Sequence, residues 1–303
     1  MMHLCTLIAD PSSHVLDQAL VDQVANTLRG EVDSETSIET LSEGAAYAVA
    51  LSPTDRATLE RVARATAAVV GERPIDLVIQ PSENRRKRLF LADMDSTMIE
   101  QECIDELADE LGLKPKIAEI TARAMRGELA FEPALKERVA MLRGLSEAVI
   151  ERVYRDRITF TPGGRELLAT MRAHGTTCVL VSGGFTQFTS KVAAELGFNA
   201  DHANTLIAEN GTLTGDVGEP IQGREAKLSH LESYAAKLGL KLDDTMAIGD
   251  GANDLAMIKA AGLGVAFHAK PAVNDEAQAA IRYGNLKAAL YLQGYRDDDI
   301  VSA

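Results

Sequence analysis

Two aspartates two positions apart, Asp93 and Asp95, follow the apolar run Leu89-Phe90-Leu91-Ala92 and are followed by the hydroxyls of Ser96 and Thr97. Two carboxylates so placed can divide the work. One can act as a nucleophile and form an acyl-phosphate; the other can give and take a proton. Taken alone, the five residues read equally well as a turn that caps the next helix. Their partners lie downstream. Gly249-Asp250-Gly251-Ala252-Asn253-Asp254 follows another apolar run and sets two more carboxylates four positions apart. Ser182-Gly183-Gly184 offers a hydroxyl and amides to phosphate oxygens, and Lys227 offers a point charge. If Asp93, Asp250 and Asp254 converge, they need a cation, because carboxylates about 4 Å apart repel by roughly 4 kcal/mol at an effective dielectric of about 20. An all-oxygen site with few protein ligands suits Mg2+ better than Zn2+.

A parallel sheet would bring these groups together. Leu89 to Ala92 lacks alternation, the pattern of a strand buried on both faces. The pattern predicts further strands over 177–181, 245–248 and 263–267. It predicts helices over 163–174 and 186–196, and another opened by Lys227; Asn210-Gly211 marks a hairpin within 203–217. Strands and helices that alternate in this way give an α/β fold, a doubly wound parallel sheet whose chemistry collects beyond the strands' carboxyl ends.

A helical block over about 100–156 interrupts that pattern directly after the Asp93 strand. Its apolar stripes are Ile104, Leu107, Ala108 and Leu111; Ile117, Ile120 and Ala124; Leu135, Val139 and Leu142; and Val149 and Val153. Four short helices joined by Gly112, Gly127 and Gly144 make a small bundle placed to act as a lid. Residues 1–84 read as a separate unit without catalytic groups. Its strands fall at 4–8, 36–41, 45–51 and 75–79, with helices at 16–29 and, opened by Thr54 and Asp55, at 54–69. The order βαββαβ gives a small sheet with two helices on one face. Residues 81–84 read as a linker, and Arg85-Arg86-Lys87-Arg88 as its solvated continuation and not an anion site. The second unit is then 85–303.

A net charge of −14 disfavours nucleic acid, so an anionic substrate must be drawn by local cations. No apolar run reaches membrane-spanning length, and the first residues lack a basic stretch followed by an apolar core. Cys5, Cys103 and Cys178 are scattered and odd in number, which points to a reducing compartment, the cytoplasm, without disulfides.

Together the motifs resemble the haloacid dehalogenase superfamily of phosphohydrolases, in the branch that acts on phosphoserine. Asp93-Met94-Asp95-Ser96-Thr97 matches the first motif, Ser182-Gly183-Gly184 the second, Lys227 the third and Gly249 to Asp254 the fourth. The likeness covers about residues 86–295. It enters the helical block through Glu100-Gln101-Glu102, Thr121-x-x-Ala124-Met125-x-Gly127 and Phe131-x-x-x-Leu135-x-x-Arg138-Val139. The resemblance implies Mg2+-dependent hydrolysis of O-phospho-L-serine through an aspartyl-phosphate, the last step of serine biosynthesis. It gives Asp93 the attack and Asp95 the proton. It assigns Mg2+ to Asp93, the backbone carbonyl of Asp95, and Asp250, with Asp254 in support. Ser182, Gly183, Lys227 and Asn253 would meet the substrate's phosphate end, Glu102 its ammonium and Arg138 its carboxylate, with Met125 and Phe131 shaping the pocket. Residues 1–84 resemble the small ACT-like regulatory domains, which leaves a homodimer and an amino-acid ligand open. Two other readings stand beside this one. The same machinery could serve another acceptor or another phosphomonoester. Alternatively, the chain could be an amino-acid-binding regulator with a vestigial phosphatase domain, which the intact Asp93, Asp95, Lys227 and Asp250 oppose.

Overall fold

The computed structural model describes residues 2–32, 36–52, 55–125 and 128–302; the side chains of Ala124 and Met125 fall outside that description. The first unit runs β1 (His3–Ala9), α1 (Gln18–Val32), β2 (Ile38–Ser42), β3 (Ala46–Leu51), α2 (Arg56–Val70) and β4 (Ile75–Pro81). This is the expected βαββαβ order, paired antiparallel as β2-β3-β1-β4. Side chains alternate along β1. Cys5, Leu7 and Ala9 pack with Val21, Val24, Leu28 and Val62 of the two helices. Asp55 caps α2 by accepting from the Thr58 N–H at 2.8 Å. Thr54 and Gly127 lie outside the described residues.

The opposite face of this sheet is not solvated. Leu4, Ile8, Ala46, Ala48 and Val78 share one apolar cluster with Phe90, Leu290 and Tyr291 of the second unit. Asp76 is fully buried there and accepts from the N–H groups of Arg282, Tyr283 and Gly284 at 2.8, 3.1 and 3.1 Å. The basic cluster departs from the solvated linker expected of it. Arg85 donates to the carbonyls of Tyr291 and Leu292, Lys87 to the carbonyl of Asp243, and Arg86 pairs with Asp299 while covering the Tyr295 ring. Carbonyls left over at helix ends and turns need donors, and these long side chains reach them. Arg88 alone of the four is both exposed and without such a partner.

The second unit continues with β5 (Leu89–Ala92), α3 (Cys103–Asp109), α4 (Lys114–Met125), α5 (Phe131–Ala140), α6 (Glu147–Arg157), α7 (Gly164–Ala173), β6 (Thr177–Phe185) and α8 (Thr186–Leu196). Then come β7 (Ala200–Asn204), β8 (Leu206–Glu209), β9 (Thr212–Val217), α9 (Arg224–Lys237), β10 (Thr245–Gly249), α10 (Leu255–Ala260), β11 (Leu263–Phe267), α11 (Pro271–Asn274), β12 (Ala279–Ile281) and α12 (Ala288–Leu292). Six strands form one parallel sheet in the order β12-β11-β10-β5-β6-β7, the doubly wound α/β architecture expected. Both faces of β5 are covered. Phe90 and Ala92 meet the cluster of Leu167 and Phe188, while Leu89 and Leu91 meet Leu231, Ala235 and Met257. Two expectations shift. Lys227 lies one turn inside α9 and does not open it. Leu111 is 39% exposed because it sits in the turn after α3, off the buried stripe.

Helices α3 to α6 form the bundle inserted after β5. The segments leading in and out pair with each other: Ile99 bridges Phe160, the Glu100 N–H donates to the Thr159 carbonyl at 3.0 Å, and the Thr161 N–H to the Met98 carbonyl at 3.1 Å. The β8–β9 hairpin turns at Asn210 and Gly211, both at positive φ, as an Asn-Gly turn requires. It also docks on the bundle. The Gly144 N–H donates to the Leu213 carbonyl and the Leu213 N–H to the Leu145 carbonyl, so the hairpin and bundle must move together.

Candidate active site

Asp93 extends the ladder of β5 by one residue, its N–H donating to the Ile248 carbonyl at 3.0 Å. The chain then turns sharply. Asp95 is extended, Ser96 is left-handed at φ 55°, and the Ile99 N–H closes on the Met94 carbonyl at 3.1 Å. A left-handed non-glycine residue costs about 1–2 kcal/mol. The turn that carries this cost sets both aspartates at the wall of one cleft.

Behind Asp93 stands Lys227, fully buried, with Nζ 2.7 Å from Asp93 Oδ1 and 2.6 Å from Asp254 Oδ1. Burial opposes its charge, but Asp254 and Asp93 more than offset this and hold its pKa above the ordinary lysine value. Asp254 Oδ2 accepts from the Gly251 N–H at 3.0 Å. Gly249 leaves room for that carboxylate, since a Cβ there would stand 2.4 Å from Asp254 Cγ.

Asp95 Oδ1 accepts from the Cys103 N–H, at the start of α3, at 3.0 Å, and Oδ2 lies 3.5 Å from Ser182 Oγ. Burial, and then the charge of Glu102, push its carboxyl up to about 8. Ser182 Oγ accepts from the Gly184 N–H at 2.8 Å. Glu102 Oε1 accepts from the Ser96 hydroxyl at 2.7 Å, and burial raises its pKa as well. Arg138 Nη1 donates to Thr121 Oγ1 and Nε to the Ala134 carbonyl, each at 3.2 Å. The Phe131 ring lies over Gly183 and Gly223, 3.2 and 3.1 Å from where a Cβ would project.

These groups surround a cleft of about 340 Å3, lined by Asp93, Asp95, Glu102, Phe131, Arg138, Ser182, Gly183, Asp250 and Asn253. Lys227 and Asp254 lie behind it. The Met125 side chain, expected among the lining, lies outside the described residues. Asp93, Asp250 and Asp254 each offer an oxygen, and these atoms lie within 4.8 Å of one another. Burial, then the charges of Asp93 and Asp254, push Asp250 up to about 8. Three carboxylates against one lysine leave an excess of negative charge. That excess, on all-oxygen donors, fits a hard divalent cation.

Two lining or supporting residues went unmarked by any motif. Asn204, buried at the end of β7, donates to the Gly183 carbonyl at 2.8 Å and the Gln222 carbonyl at 3.2 Å, and accepts from the Gln222 N–H at 2.7 Å. It clamps the end of β6 to the approach of α9. Arg224 lines the same cleft as Gly183 and Asp250. In the sequence it is one charge among many at a helix start.

The chain matches the haloacid dehalogenase-like hydrolases over residues 90–259, from β5 through α10, the span that holds this cleft. It belongs to that family. The phosphoserine phosphatase of Archaeoglobus fulgidus is 43% identical over 242 residues, which is 79% of this chain and 69% of that protein. A haloacid dehalogenase family hydrolase of Salmonella enterica serovar Typhi, t0658, superposes with a TM-score of 0.82 at 29% identity, over 96% of this chain and 98% of that one. Its likeness takes in the first unit as well as the hydrolase domain. A structure of the phospho-aspartyl intermediate analogue of phosphoserine phosphatase superposes with a TM-score of 0.64 at 40% identity, over 68% of this chain and 98% of that chain.

Proposed function

We infer that this chain is a phosphoserine phosphatase, which hydrolyses O-phospho-L-serine to L-serine and phosphate through an aspartyl-phosphate on Asp93. The observation that carries the inference is that Glu102 and Arg138 line the same cleft as Asp93 and Asp95. An anionic and a cationic group beside the nucleophile can meet an ammonium and a carboxylate together. The phosphoserine phosphatase relatives support the same reading.

The Asp93 carboxylate, held 2.7 Å from Lys227 Nζ, attacks phosphorus, and Lys227 also supplies positive charge for the phosphoryl group. The Ser182 hydroxyl and Gly183 amide take phosphate oxygens, with Asn253 on the same cleft wall. As the phosphorus–oxygen bond to serine breaks, Asp95 gives its proton to the departing oxygen. A carboxyl raised to about 8 still holds that proton at neutral pH. Asp95 then takes a proton from the water that attacks the aspartyl-phosphate, which frees phosphate and returns Asp93 to its carboxylate. The cation that fits the cluster of Asp93, Asp250 and Asp254 is Mg2+, which Asp93, Asp250 and the Asp95 backbone carbonyl would hold, with Asp254 in support. When bound it offsets the repulsion between Asp93 and a phosphate dianion. Glu102 takes the substrate ammonium and Arg138 its carboxylate, while Phe131 shapes the pocket.

Residues 1–84 form a regulatory or dimerising unit in this reading, for which an amino acid is a fitting ligand. The three free, buried cysteines suit a reducing compartment such as the cytoplasm. Phosphate release across a panel of phosphomonoesters, with and without Mg2+, tests the assignment. Phosphoserine should be preferred and turnover should require the metal. Equal rates on sugar, aryl and seryl phosphates would remove the serine assignment.

A further inference from the structure

We propose that Arg224 is the capture residue of the cleft, an unpaired cation at the rim that draws the phosphate dianion inward before Lys227 and Ser182 hold it. The proposal rests on reading the cleft as a phosphomonoester site. Arg224 lines that cleft and is exposed, and it has neither ion pair nor side-chain hydrogen bond among the described residues. The other cations at the site are engaged. Lys227 is buried between Asp93 and Asp254, and Arg138 is held by Thr121 and Ala134.

Its place in the fold gives it no structural work. Arg224 is the first residue of α9, where the helix macrodipole favours an anion and disfavours a cation. The spacing of three to Lys227 puts both on one face of α9, Arg224 one turn nearer the helix start. The backbone beneath it is pinned. Gln222 is clamped by Asn204 and bonded to His230 at 2.9 Å, and Gly223 lies under the Phe131 ring. A cation on a pinned backbone, where it helps neither helix nor ion pair, is placed for something outside the chain.

Charge identifies what that is. The protein carries a net −14, so its overall field repels an anion. A phosphate dianion approaching the cleft is repelled until it comes under a local positive field. Screening over about 8 Å at physiological salt confines such help to cations at the mouth.

The test measures kcat/KM for phosphoserine and for an aryl phosphate at about 0.01 M and about 1 M ionic strength, where screening lengths are about 30 and 3 Å. Wild type, Arg224→Ala, Arg224→Glu and Arg64→Ala are compared. Arg64 is an exposed residue of α2, so its removal makes the same change in net charge away from the cleft. Arg224→Ala should lower kcat/KM about 3- to 5-fold at low salt on both substrates, in line with an exposed charge pair. Arg224→Glu should lose more, and both losses should shrink toward unity at high salt, while Arg64→Ala matches wild type throughout. Wild-type behaviour of Arg224→Ala at low salt overturns the proposal. So does a loss that persists at high salt or appears with phosphoserine only, because either marks a direct contact. If wild type ignores phosphoserine yet cleaves the aryl phosphate, the functional reading fails while the capture test still reports on that substrate.

Discussion

Lys227 Nζ stands 2.7 Å from Asp93 Oδ1 with no solvent around the lysine, so the Asp93 carboxylate is gripped from behind while its face remains open to the cleft. A nucleophile needs that arrangement, and a purely structural ion pair does not. Asp93→Asn should therefore lower turnover at least about a thousandfold, as expected when a covalent nucleophile is removed. Lys227 keeps Asp254 at 2.6 Å, so the fold should survive. Phosphate release and a thermal melt on the same sample check both halves. Substantial activity, once deamidation back to aspartate has been excluded by mass spectrometry, would refute the covalent route.

The carboxylate cluster makes stability depend on pH and metal in a definite direction. Burial and neighbouring charge hold Asp250 and Asp95 up to about 8, whereas an unfolded aspartate titrates near about 3.9. Between those values the folded chain binds more protons than the unfolded one. Metal-free protein should thus be most stable below about pH 4 with respect to these groups and lose that contribution as pH rises through about 8. A divalent cation competes with the same protons, so Mg2+ should raise Tm more at about pH 8 than at about pH 5. At a hundredfold excess over Kd the stabilisation is about 2.7 kcal/mol, or roughly 5–10 °C for a domain of this size. Equal increments at both pH values would place the metal elsewhere.

We propose that residues 1–84 are dispensable for chemistry but not for stability. Every residue lining the cleft lies beyond them, yet Leu4, Ile8 and Val78 cover Leu290 and Tyr291. A chain starting at residue 85 should turn over phosphoserine with a lowered Tm and a tendency to associate through the uncovered face. Asp76→Ala is the milder probe. It strands three N–H groups, each costing about 1–3 kcal/mol, and should lower Tm by about 6 °C or more with the cleft intact. A truncated chain that is monodisperse and folded but inactive would make the first unit part of the catalytic machinery.

The parts of the site that were legible in the sequence are those whose signal is local. Leu89 to Ala92 shows its double burial as an unbroken apolar run, and the abrupt carboxylates after it mark a strand end. Asn204 gives no such signal, because its partners Gly183 and Gln222 come together only in the fold. Its strand, Ala200–Asn204, is a polar sheet edge, and β12 is three residues long, so neither shows a period. The basic run at 85–88 looked solvated for the same reason. The carbonyls of Tyr291 and Leu292 that bind Arg85 are neighbours in space and distant in sequence.

Selectivity for serine should reside in Arg138. Phosphate, metal and reacting oxygen are common to every phosphomonoester, so the strand-end groups alone cannot tell substrates apart. Arg138 projects from α5 into the cleft that Glu102 also lines, and its bonds to Thr121 and Ala134 occupy two of five guanidinium donors. The remaining fork can take both oxygens of a carboxylate. Burial lowers its pKa, with Glu102 and Asp105 acting in the opposite direction, but guanidinium stays charged in proteins. A charge-assisted hydrogen bond to substrate is worth about 1.5–3 kcal/mol, roughly 10- to 150-fold. Arg138→Ala should lower kcat/KM for phosphoserine by that order, with a much smaller effect on an aryl phosphate that has no carboxylate to lose. Arg138→Lys, which keeps the charge without the fork, should fall between. Unlike the loss at Arg224, this one should persist at high salt, because a partly buried contact is weakly screened. Equal losses on both substrates would mean that Arg138 braces the helical bundle, and the recognition of serine would have to come from another residue.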